Sequence, residues 1–144
     1  MNPKETCLPV SACQWAALVL RLAVVSLFLA AVVPKFSAGF QSVQGTVHYF
    51  QTQFATTWLP GPLVTAHGYV TPFAEALIVL WLLTGIRLQA GWVFASAFMV
   101  SLAFGQMVLR EYAAAAANFN YVLLCCAGLY LSPHDRLRLD VRRR

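Results

Sequence analysis

Hydrophobic residues run almost unbroken through four stretches of the chain, 15–33, 63–86, 88–109 and 113–131, and polar residues collect between them. A helix needs roughly 20 apolar residues to cross a bilayer. The pattern therefore predicts four transmembrane helices. The segment 40–58 is patterned differently. Phe40, Val43, Val47, Phe50, Phe54 and Trp58 recur every three or four residues, opposite Gln41, Gln44, His48, Gln51, Thr52 and Thr56. Such spacing predicts an amphipathic helix that lies in the membrane interface or caps the others. The expected fold is all-α, a single domain over 1–144. It is an integral membrane four-helix bundle with an amphipathic interfacial helix between the first and second transmembrane helices.

Prolines and small residues refine the picture. Pro34-Lys35 closes the first span, Pro60-Gly61-Pro62 launches the second, and Ser132-Pro133 ends the fourth, leaving a basic tail over 132–144. Pro72 sits inside the second span, where a missing N–H is expected to kink or break the helix. In the third span Ala97, Ser101 and Gly105 recur every four residues, a strip that lets a neighbouring helix approach closely. In the fourth, Asn118 shares a side with Tyr121, Cys125 and Gly128, and that side is expected to face inward.

Composition agrees. Hydrophobic residues make up 60% of the chain and charged ones only 10%, whereas soluble domains carry about 25% charged residues. The net charge of +5 gathers mostly in the closing RLRLDVRRR, which suits anionic lipid headgroups and not nucleic acid. Four crossings place Lys4, Arg87 and the tail arginines on one side, against Lys35 and Arg110 on the other. The positive-inside rule then makes both termini cytoplasmic in a multi-pass protein of the cytoplasmic (inner) membrane. The first span is longer than the apolar part of a secretory leader and contains Arg21, so it is expected to be retained. None of the four cysteines, Cys7, Cys13, Cys125 and Cys126, forms a CxxC pair. A disulfide-exchange role is therefore disfavoured.

The candidate chemistry lies in the few ionisable groups. An acidic residue at the centre of a membrane helix costs roughly 2.5 to 3.5 kcal/mol, so Glu75 needs a partner or a task. Residue counts put Arg21 within roughly 6 Å of its depth at 1.5 Å per residue. The expectation is an Arg21–Glu75 ion pair that fixes helix register or handles a proton or substrate. Towards the other end, Lys35, His48, His67, Gln106, Tyr112 and Asn118 are expected in the outer third of the bundle. Such a set could hold the two carbonyl oxygens of a quinone between cationic and amide donors, with aromatic walls. It reads equally as the ordinary polar and aromatic belt of a membrane protein. No metal site, no catalytic residue, and no haem or flavin motif is expected.

The order of features resembles the DoxX family of small four-helix membrane proteins. The resemblance rests on Arg21-Leu22 and Lys35 in the first span, Leu59-Pro60 after the connector, Glu75 with Thr84-Gly85 in the second span, the early asparagine in the fourth, and Arg138-Leu139-Asp140 near the end. It covers roughly residues 16 to 140 and implies membrane redox work, with Arg21, Lys35, Glu75 and Asn118 at the family's polar positions. DoxD-like members are quinone-linked subunits that pass electrons from an extracytoplasmic donor to membrane quinone. Other members imply an accessory anchor that docks a larger redox or metal-handling complex. The expected partners are membrane lipid and either a redox subunit or further copies of the chain.

Overall fold

A computed structural model describes residues 10–37 and 39–135. It consists of five helices, α1 Val10–Phe36, α2 Phe40–Phe54, α3 Gly61–Thr84, α4 Leu88–Val108 and α5 Tyr112–Leu131, followed by a short 3-10 turn at Ser132–His134. Lys4, Cys7, the Arg138-Leu139-Asp140 motif and the arginine-rich part of the tail lie outside the described residues.

Four helical segments, Ala12–Phe36, Gly61–Thr84, Leu88–Val108 and Tyr112–His134, are long and apolar enough to cross a membrane. Their outer faces carry Val19, Leu29, Val70, Leu80, Val100 and Leu123, all exposed. Apolar surface on this scale is stable only against lipid or another protein. The chain is a multi-pass membrane protein.

Inside, Val24 and Phe28 of α1, Ile78 and Leu82 of α3, Trp92 and Phe98 of α4 and Cys125 of α5 form one apolar core. Helix α4 packs most extensively on α5, and α1 lies against both α3 and α5. The α4–α5 contact depends on Gly128, because a Cβ there would sit 2.5 Å from Cζ2 of the buried Trp92. As the pattern predicted, Cys125 and Gly128 face inward, whereas Asn120, Leu123, Leu124 and Ala127 are exposed. Helix α2 lays Val43 and Val47 inward and packs on α3. A Cβ on Gly68 of α3 would meet the Val47 Cα at 3.1 Å, so the two backbones cross almost in contact.

Three features refine the expectations. Helix α1 starts at Val10, five residues before Trp15, and passes through Pro34 to Phe36. Pro34 forfeits its own N–H bond to the Ala30 carbonyl, and the helix continues past it only to Phe36. Helix α3 is continuous through Pro72, so the span recruits residues 63–70 and is not broken, and Thr71 Oγ1 donates to the His67 carbonyl at 2.8 Å. Of the strip Ala97-Ser101-Gly105, Ala97 and Ser101 are exposed, while a Cβ on Gly105 would meet Phe54 Cζ of α2 at 3.3 Å, so only its outer end lies against a neighbouring helix. Gly91, Ala95, Met99 and Ala103 are the buried residues at the same four-residue spacing. An all-apolar helix gives no polar face to choose between two such strips.

Candidate ligand-binding cleft

The two buried ion pairs of the described residues differ from the expected one. Arg21 does not reach Glu75. Its Nη1 lies 3.1 Å from Asp135 Oδ2, just past the 3-10 turn that follows α5. Glu75 pairs with Lys35, whose Nζ lies 2.6 Å from both Oε1 and Oε2.

The reason is register. Lys35–Glu75 and the edge-to-face contact of Phe36 with Phe73 set α1 against α3, placing the end of α1 beside the middle of α3. Arg21 lies fourteen residues earlier on α1, or about 21 Å away at 1.5 Å per residue. Helix α1 begins at Val10 and not at Trp15, and the ends of α1 and α3 are not level, so Arg21 does not share the depth of Glu75. Asp135 falls at the start of the stretch 132–144 that reads as a basic tail. The chain has only five acidic residues, so the first one after α5 was a readable candidate for the Arg21 partner.

The Lys35–Glu75 pair lines a cleft of about 570 Å³ to which all five helices contribute. Glu75 is buried, with 5% of its side chain exposed, while Lys35 keeps 25%. An ammonium group has three donors. The carboxylate oxygens take two of them, leaving one for a group in the cleft. Gln106 of α4 and Asn118 of α5 also line it. Among the described residues neither amide hydrogen-bonds to another protein group. Ser42, Thr46 and Tyr49 of α2 and Thr71 of α3 complete the polar side. These were missed in the sequence, although Ser42, Thr46 and Tyr49 form a stripe at three- and four-residue spacing along one flank of α2.

A second cavity of about 170 Å³ adjoins the cleft, and Phe50, Leu102 and Gln106 line both. Its walls are mostly apolar. Phe50 and Phe54 stack with centroids 6.1 Å apart, and the His67 ring meets Phe50 edge-on at 5.6 Å. Of the residues expected to cluster, Lys35, Gln106 and Asn118 meet in the cleft and His67 stands in the adjoining cavity. His48 is exposed on the polar side of α2, and Tyr112 is exposed in the first turn of α5, so both fall outside. Glu75 joins the cluster in their place.

Fold and site together define a helical multi-pass membrane protein with a charged and amide-lined cleft opening beside an aromatic cavity. Comparison with protein-family models, curated proteins and solved structures finds no match.

Proposed function

We propose that the protein is a DoxX-like, quinone-binding subunit of a membrane redox system, with the Lys35–Glu75 cleft as the head-group site. The observation that carries this reading is the cleft itself. A bidentate ion pair with a spare ammonium donor stands with two amides that, among the described residues, hydrogen-bond to no other protein group. Unpartnered amides inside a membrane domain are costly unless water or a ligand satisfies them. A quinone offers two carbonyl acceptors on opposite edges of an apolar ring, which matches donors set in a mostly apolar pocket. Reduction to quinol takes up two electrons and two protons. The electrons come from an extracytoplasmic donor through a redox partner subunit.

In this reading the domain is a four-helix bundle in the inner membrane with both termini cytoplasmic, as the distribution of positive charge favours. Helix α2 then lies along the extracytoplasmic interface with Gln41, Gln44, His48 and Gln51 towards water, consistent with their exposure. A second reading, an accessory anchor without a ligand, is favoured by the exposed Ala97 and Ser101 on α4. Small residues on an outer helix face suit a docked partner helix.

The two readings separate in one measurement. Protein purified in mild detergent is extracted and assayed for bound quinone by mass spectrometry, and titrated with added quinone. Stoichiometric quinone that Lys35→Met displaces supports the first reading. Protein that neither retains nor binds quinone, yet recovers a redox subunit from native membranes, supports the anchor.

A further inference from the structure

We infer that the Lys35–Glu75 cleft is an aqueous vestibule open only at the end of the bundle that carries α2, so that the protons of the quinone chemistry are exchanged with that side alone. The proton assignment rests on the quinone reading of the cleft, whereas the one-sided opening does not. Three observations carry it.

The first is where the polar residues stand along their helices. Lys35 is the last residue but one of α1, Gln106 lies two residues before the end of α4, and Asn118 six residues into α5. At 1.5 Å per residue each is within about 10 Å of the end of its helix on the α2 side. The second is the mouth. Tyr49 of α2 is 60% exposed, Gly45 is exposed, and a Cβ on Gly45 would meet nothing within 4 Å. Helix α2 therefore flanks the cleft without closing it. The third is the floor. Beyond Glu75, the side chains of Phe28, Ile78, Leu82, Trp92 and Cys125 are packed with at most 1% exposure. Seven residues of α3 separate Glu75 from Leu82, so this apolar layer is about 10 Å deep. The Ser96 hydroxyl beside Cys125 is already turned to the Trp92 carbonyl of its own helix.

A buried water needs roughly two to four polar partners. The cleft supplies them from its ammonium, amides and hydroxyls, and among the described residues the floor does not. Proton transfer needs a hydrogen-bonded path, which therefore ends at Glu75. The titratable groups at the cleft are Lys35, Glu75 and Tyr49, since α4 and α5 present only the amides Gln106 and Asn118. Reduction of a quinone to quinol consumes two electrons and two protons. With donor and vestibule on one side, both arrive from there, and no net charge crosses the bilayer. Turnover then neither draws on the membrane potential nor adds to it.

The test is side-specific labelling of single cysteines in membranes holding the full chain, its four native cysteines otherwise replaced by alanine. A permanently charged methanethiosulfonate, which does not cross lipid, is added to right-side-out or inside-out vesicles. It reacts with the ionised thiol, which forms in water and not in apolar surroundings. Thr56→Cys after α2 and Gln89→Cys at the start of α4 stand at exposed positions and report the two sides. Thr46→Cys and Asn118→Cys are expected to label from the Thr56 side, with complete loss of labelling from the Gln89 side. Native Cys125, kept as the single cysteine, is expected to label from neither. Should Thr46→Cys fail to fold, Ser42→Cys on the same flank of α2 takes its place. Cleft labelling from the Gln89 side, from both sides or from neither overturns the inference, and so does labelling of Cys125 in the folded protein. A cleft cysteine reached only by a lipid-soluble maleimide overturns it as well and assigns the space to acyl chains. Tailless dimethoxy-methyl-benzoquinone, present during the reaction, should slow labelling of Thr46→Cys. One-sided labelling that the quinone leaves untouched removes the quinone reading and the proton assignment, while the vestibule stands.

Discussion

Removing the Asp135 carboxylate should destabilise the protein far more than its position near the end of the described chain suggests. Only 7% of the Arg21 side chain and 2% of the Asp135 side chain are exposed, and the charged atoms are 3.1 Å apart. The N–H of Arg21 Nη1 is not lined up on Oδ2, so the attraction is chiefly Coulombic. At an effective dielectric of about 20 two unit charges at that separation attract by about 5 kcal/mol, before the cost of removing both from water. That cost cancels most of the gain, so the pair as a whole adds little. Taking away one partner is another matter, because the guanidinium then stays buried without its counter-charge, at a cost of about 3–5 kcal/mol. Asp135→Asn is therefore expected to lower stability by that amount. Replacing both, Arg21→Met with Asp135→Leu, should recover most of the loss or exceed the parent. The assay is reversible denaturant unfolding in detergent, followed by tryptophan fluorescence, with Arg21→Met, Asp135→Leu and the double variant forming a cycle. A loss below about 1 kcal/mol for Asp135→Asn, or simple additivity in the cycle, would refute the claim that these charges are buried against each other.

The same logic predicts an asymmetry at the cleft. Lys35→Met strands the nearly fully buried Glu75 carboxylate and should cost about 3–5 kcal/mol, whereas Glu75→Gln leaves an ammonium with a quarter of its side chain in the open and should cost about 1–3 kcal/mol. Equal losses in unfolding experiments would argue against the difference in burial. Gly128→Ala drives a Cβ into Trp92 and should destabilise by about 1–3 kcal/mol with a changed tryptophan emission; an unaltered spectrum and midpoint would place α5 elsewhere. In variants that retain Cys125 or Cys126 as the single cysteine, a maleimide at raised pH in detergent should label exposed Cys126 faster than buried Cys125, whose labelling should wait on unfolding. Equal labelling of both in the folded state contradicts the inward face of α5.

The positions and types of the helices were legible in the sequence because they follow from local properties. Length and apolarity set the four membrane helices, three- and four-residue spacing set the inward face of α2, and the placing of Cys125 and Gly128 set that of α5. The cleft was legible in part, since Lys35, Gln106 and Asn118 meet there. What pairs with what was decided only in three dimensions. Whether Glu75 meets Arg21 or Lys35 depends on how far α1 slides along α3, and a shift of a few residues leaves the hydropathy of each helix unchanged. The contacts that set that slide, Phe36 on Phe73 and the apolar packing of Val24 and Phe28 against Ile78 and Leu82, join residues far apart in the chain. The choice of Gly91-Ala95-Ala103 over Ala97-Ser101-Gly105 as the buried small residues of α4 has the same origin. Each strip satisfies the local rule, and only the bulk of Trp92 seated over Gly128 selects between them.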